Sequence, residues 1–156
     1  MTDALANDAL DRPVTTFTGK QNVGWWLRRQ AHETAVHRWD AQRAIGASTP
    51  IDTDLAIDGV DELLDLVLPR FGEKIGGDGE TIHLHATDDT TGAGEWLLTL
   101  GPHGTTVTSG HAKGDVAVRA TASDIILLLW GRQAVDDLEV HGDPELFTGW
   151  RARIAF

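Results

Sequence analysis

At 156 residues, with an ordinary apolar content of 41% and no cysteine, the chain suits one compact domain or one domain with a helical arm. Disulfides, thiolate metal ligands and thiol nucleophiles are thereby excluded. The net charge of −11 argues against nucleic acid or an anionic membrane surface as partner, and the lack of a signal peptide or membrane-spanning run reads as a soluble cytoplasmic protein.

Residues 1–21 mix Asp, Asn, Thr and Pro without a sustained period and read as a mobile tail or linker. Asn22 can cap a first helix over 22–46, which Gly46 ends. A second helix opens at Asp52 or Thr53 and runs to about Leu68, where Pro69 closes it and Gly72–Gly79 form a loop. From Glu80 the period changes to two. Ile82, Leu84 and Ala86 alternate with Thr81, His83 and His85; Trp96, Leu98 and Leu100 follow; then come 105–109 and a strand marked by Val116 and Val118. Short connections imply antiparallel neighbours. Thr121 to Asp124 is a capping signal for a buried helix through Ile125–Trp130, ended by Gly131. A last short strand, 138–141, and a helix capped at Gly142-Asp143-Pro144 complete an α+β layer structure.

Glu33 and His37 stand four residues apart, so both project from one face of the first helix. A carboxylate and an imidazole in this arrangement suit a divalent metal such as zinc if other groups complete the shell, and they equally suit a solvated helix face. The surrounding string W-L-R-R-x-A-H-E-T-A-V-H-R-W-D-A (Trp26–Ala41) resembles the mycothiol-dependent maleylpyruvate isomerase family. There the last helix of a DinB-like four-helix bundle carries Glu-x-x-x-His as two metal ligands, which fall on Glu33 and His37. The family's third ligand, an earlier histidine, has no counterpart in the 32 residues before Glu33, so an incomplete catalytic bundle is expected. A second pair of strings, A-S-D-x-x-L-L-L-W-G-R (Ala122–Arg132) and L-x-V-x-G-D-P-x-L (Leu138–Leu146), looks like the end of sterol carrier protein folds, which the family's C-terminal domain shares. The implied architecture is a sterol-carrier-like antiparallel sheet with packed helices over 51–156, preceded by the long helix.

In that family a divalent metal lowers the pKa of mycothiol's thiol for cis–trans isomerisation of maleylpyruvate, an activity that the resemblance implies only with a complete bundle. An arginine near Arg132 is thought to help bind substrate carboxylates; a helix C-terminal cation paired with Asp136 or Asp137 explains Arg132 as well. Residues 19–43 hold five cations against Glu33 and Asp40, so an anionic substrate or thiol cofactor would meet favourable charge there. The other histidines read otherwise: His83 and His85 share the polar face of a strand, where they could bind a metal together but read first as solvent-exposed, His103 and His111 lie in loops, His141 in packing, and His32 off the Glu33 face. The rival reading is a sterol-carrier-like module that holds a small apolar ligand near Trp96 and Ile125–Trp130, or docks a partner. The inner face of the first helix implies a homodimer through 22–45, or a separate bundle partner.

Overall fold

The structure, a computed structural model, describes residues 7–154, and the chain divides into two units, Met1–Thr49 and Pro50–Phe156. In the first unit, α1 (Asn7–Leu10) leads into a hairpin of β1 (Pro13–Thr16) and β2 (Gly19–Asn22), paired from Pro13 opposite Asn22 to Thr16 opposite Gly19. The stretch read as a tail is thus structured from residue 7 onward; residues 1–6 lie outside the described residues. The cause is local. The Thr16 hydroxyl accepts from the Thr18 N–H at 3.2 Å, and Gly19 supplies the positive φ of 102° that closes the turn. Two four-residue strands are too short to produce a readable period.

The Asn22 side chain accepts from the Trp25 N–H at 2.8 Å and starts α2 (Val23–Ala44), as its position implied. Twenty-two residues make this helix about 33 Å long. Gly46, at φ 71°, follows its end.

In the second unit Asp52 caps α3 (Thr53–Glu62) by accepting from the Leu55 N–H at 3.3 Å. The helix then widens into a π turn over Leu63–Val67 and tightens into a 3-10 turn over Leu68–Arg70. Pro69 therefore sits inside the closing turn and not after it. The wider turn aligns residues five apart, so Leu63 and Leu68 are both buried. Part of the loop expected from Gly72 is likewise a 3-10 turn, Gly72–Ile75.

Five strands form one sheet in the order β5-β4-β3-β6-β7: β3 (Thr81–Ala86), β4 (Glu95–Gly101), β5 (Gly104–Ser109), β6 (Val116–Ala120) and β7 (Glu139–Gly142). The pairs β3–β4, β4–β5 and β6–β7 are antiparallel, but β6 runs parallel to β3, with Ile82 opposite Val116 and Leu84 opposite Val118. The expectation that short connections make every neighbour antiparallel fails here. Residues 110–115 cross from β5 over β4 and β3 to reach the far side of β3. They can lie flat because Gly114 presses on His83: a Cβ at 114 would come within 2.8 Å of the His83 nitrogen and 3.1 Å of its Cβ.

The inner face of the sheet carries Ile82, Leu84, Trp96, Leu98, Val116 and Val118, all buried, as are Ile126 and Leu129 of α4 (Ala122–Leu129). The alternation at Glu80–Leu100 predicts this core. α4 packs on β3 and β6, and α3 packs on α4. The Thr121 hydroxyl accepts from the Asp124 N–H at 3.1 Å to begin α4, and Gly131, at φ 74°, follows it. Two core tryptophans find partners for their ring N–H: Trp96 donates to Asp61 at 2.7 Å, and Trp150 of α5 (Pro144–Ala152) donates to Thr105 at 3.0 Å. The architecture is the expected α+β one, a mainly antiparallel sheet with packed helices and a long helix before it in sequence. No described helix is long and apolar enough to cross a membrane.

Candidate functional site

Two carboxylate–imidazole groups stand out, one in each unit. On α2, Glu33 Oε2 lies 3.2 Å from His37 Nε2, one helical turn away. His37 Nδ1 is 3.2 Å from Asp40 Oδ2. A proton held on Nδ1 by Asp40 leaves the Nε2 lone pair facing Glu33, the arrangement in which a second carboxylate orients a ligating histidine. Arg29 pairs with the other Glu33 oxygen. The pair opens into a groove of about 760 Å³ whose lining includes Phe17, Trp26, Arg29 and Arg38. Trp26, 42% exposed, stacks on Trp25 with ring centroids 5.7 Å apart, and Phe17 meets both edge-on. His32 is buried and Trp39 is 7% exposed, so neither belongs to this open face.

Arg132 follows α4, where its Nη1 donates to the Trp130 carbonyl at 3.0 Å. A different arginine reaches the end of that helix from α5: Arg151 Nε donates to the Leu128 carbonyl at 3.4 Å and Nη1 to Ile154 at 2.8 Å. Burial pulls the Arg151 guanidinium below its ordinary value. Nothing in the local sequence distinguishes Arg151 as that partner, because the contact spans 23 residues.

The second group lies on the outer face of the sheet. Pairing places His85 opposite Glu95 and His83 beside it on β3. His83 Nε2 is 2.7 Å from Glu95 Oε2, while His85 Nδ1 and His111 Nδ1 are 2.6 and 3.2 Å from Oε1. His83 is only 4% exposed, contrary to the expectation of an exposed strand histidine, because residues 110–115 cross over it. His141, expected in packing, is instead exposed and bonds Glu139 at 2.7 Å. Burial holds His83 below its ordinary pKa, against the opposing hydrogen bond and charge of Glu95, so it is neutral at pH 7. Burial would raise the Glu95 carboxyl, but hydrogen bonds from His85, His111 and His83 outweigh it and hold the group lowered and ionised. Among the described residues, His83, Glu95 and His111 are the group of three donors near enough to share an ion, with donor atoms all within 4.8 Å. Sequence spacing signals none of this beyond the shared polar face of His83 and His85.

The mycothiol maleylpyruvate isomerase N-terminal domain matches residues 1–42, and the MDMPI C-terminal domain matches residues 54–149. The chain belongs to the mycothiol maleylpyruvate isomerase family. Solved structures that resemble it include the stereoselective inverting sec-alkylsulfatase Pisa1 from Pseudomonas sp., at 19% identity and a TM-score of 0.48 over 68% of this chain and 17% of that one. Others are the UbiJ-SCP2 ubiquinone synthesis protein (19% identity, TM-score 0.42, 68% of this chain and 93% of that one) and sterol carrier protein 2 (15%, 0.36, 66% and 88%). This chain therefore spans less than a fifth of the alkylsulfatase's length. No curated protein sequence is a significant match.

The family brings mycothiol and a metal into question. Glu33 and His37 fit part of a metal shell by chemistry and by distance. They provide two donors, and among the described residues no third acid or imidazole joins them closely enough to share an ion.

Proposed function

We propose that this protein serves metal-assisted, thiol-dependent cis–trans isomerisation of the maleylpyruvate type, with α2 contributing Glu33 and His37 as two ligands of a divalent metal. The observation that carries the reading is the 3.2 Å approach of Glu33 Oε2 to His37 Nε2 in an open groove, with Asp40 behind the imidazole. A bound zinc ion would supply Lewis acidity that favours a thiolate at neutral pH. The residues of the chain do the rest. Asp40 holds the His37 proton on Nδ1, Arg29 holds one Glu33 oxygen, and Trp26 with Phe17 offers an apolar wall to the organic part of a thiol cofactor such as mycothiol. Arg38 and Arg29 give the groove positive charge suited to an anionic substrate. By the family resemblance alone, Arg132 of the second unit, with its planar fork, is a candidate for a substrate carboxylate.

Two ligands leave at least two positions of a tetrahedral zinc to other donors. A second copy pairing its own α2 across a two-fold axis would supply the same Glu33 and His37, a shell to which a thiolate would add as a fifth ligand, and the exposed Leu27 would be covered in that pairing. Light scattering at tens of micromolar, with and without zinc, tests this directly. Zinc is expected to raise the dimer fraction of the unmodified chain and to leave His37→Ala unaffected, and the mycothiol-dependent loss of maleylpyruvate should follow the dimer fraction. A monomer under both conditions, inactive with mycothiol and zinc, would remove the reading.

A further inference from the structure

The outer face of the sheet carries a cluster of donor side chains. Three donor side chains converge there from three elements: His83 from β3, Glu95 from β4, and His111 from the crossover segment 110–115. That segment is fastened at both ends to the strands that carry the other donors. The Gly110 N–H donates to the Glu95 carbonyl at 3.0 Å, and the Asp115 N–H donates to the Thr81 carbonyl at 3.0 Å. Asp115 Oδ2 also accepts from the Thr81 N–H and hydroxyl, each at 2.8 Å. His111 is thus held over the strands although its side chain is 78% exposed. Gly114 lies flat on His83, and together these contacts fix the buried imidazole and the carboxylate before any ligand arrives.

We propose that His83 Nε2, His111 Nδ1 and a Glu95 oxygen form a binding site for a divalent transition metal such as zinc, separate from Glu33 and His37. The donor set of two imidazoles and one carboxylate is that of open zinc sites, which keep a fourth position for water or a substrate. The fourth position would face the pocket of about 540 Å³ bordered by His85, Ala117 and His141. Opposite His83 and His141 stands only Ala117, whose small side chain leaves room there. His85 takes the supporting part. Its Nδ1, 2.6 Å from Glu95 Oε1, hydrogen-bonds the ligating carboxylate, as the ligands of protein-bound metals require. On binding, His83 and His111 take the tautomers that carry the proton on the other ring nitrogen. The site would take a small anionic or carbonyl-bearing ligand drawn by the metal charge itself, since at the pocket wall Arg119 pairs with Glu139 and Lys113 is offset by Asp115.

Cobalt(II) and zinc titrations of the full chain, followed by visible absorption and calorimetry, test the site. The expected result is one equivalent held at this site with a tetrahedral cobalt spectrum, still bound when His37→Ala removes the α2 ligand, and, in that background, weakened by about tenfold or more by His111→Ala and by Glu95→Gln. His111 is on an exposed segment and Glu95→Gln keeps the side-chain shape, and thermal melts of both variants check that the fold persists. The inference is overturned if the chain binds neither ion, or if adding His111→Ala or Glu95→Gln leaves binding as tight as in His37→Ala alone. Binding lost in His37→Ala alone would also overturn it, while leaving the α2 reading intact.

Discussion

Asp89 organises the turn between β3 and β4 with one carboxylate. Oδ1 accepts from the Thr91 N–H and hydroxyl at 2.8 Å each, and Oδ2 accepts from the Gly94 N–H at 2.9 Å. The Gly94 N–H, then the Thr91 N–H and hydroxyl, lower the carboxyl from 3.8 to about 2. A depressed carboxyl pKa means the unfolded chain binds more protons in that interval. Its stabilising contribution is therefore complete above pH 3.8 and is lost as the pH falls towards 2. A side-chain carboxyl titration by NMR should place the Asp89 midpoint near pH 2, and a midpoint at the ordinary carboxylate value would contradict the turn geometry. The string Asp88-Asp89-Thr90-Thr91-Gly92 is legible as a turn, but not which aspartate makes it. The same limit applies to the histidines. Alternation correctly puts His83 and His85 on one face of β3. It cannot tell that a segment 28 residues further on covers that face, so a buried, shared histidine reads as a solvated one.

At the scale of elements, the local signals held at the helix starts. Asn22, Asp52, Thr121 and Asp143 all cap the helices they precede. What escaped was the π turn after α3, because a helical stripe of Leu63, Leu64 and Leu68 looks continuous in one dimension. The hairpin before α2 escaped as well, being set by one turn and not by a period. α4 is the element whose burial ties the second unit together, with Leu129 fully enclosed between the sheet and its neighbours. Leu129→Ala should destabilise the protein by about 2–5 kcal/mol, the range for removing a leucine side chain from a rigid core. Denaturant melts showing a loss well below 1 kcal/mol would mean that the site collapses or is wet.

At the scale of the molecule, the paired resemblances carried by Trp26–Ala41 and Ala122–Leu146 led to the right family, and the α+β character followed from the change of period at Glu80. Strand order was out of reach, since alternation names the buried face of a strand and not its neighbours. The parallel pairing of β3 with β6 has a consequence in time. The meander β3–β4–β5 closes through short turns, whereas β6 can dock only after residues 110–115 have passed over strands already in place. Loop-closure entropy then makes the meander the early nucleus and the β6–β7 edge a late addition. Leu98→Ala, in β4, should slow refolding, while Val118→Ala, in β6, should mainly hasten unfolding. Equal slowing of refolding by both substitutions would show that the crossover is threaded before the barrier and not after it.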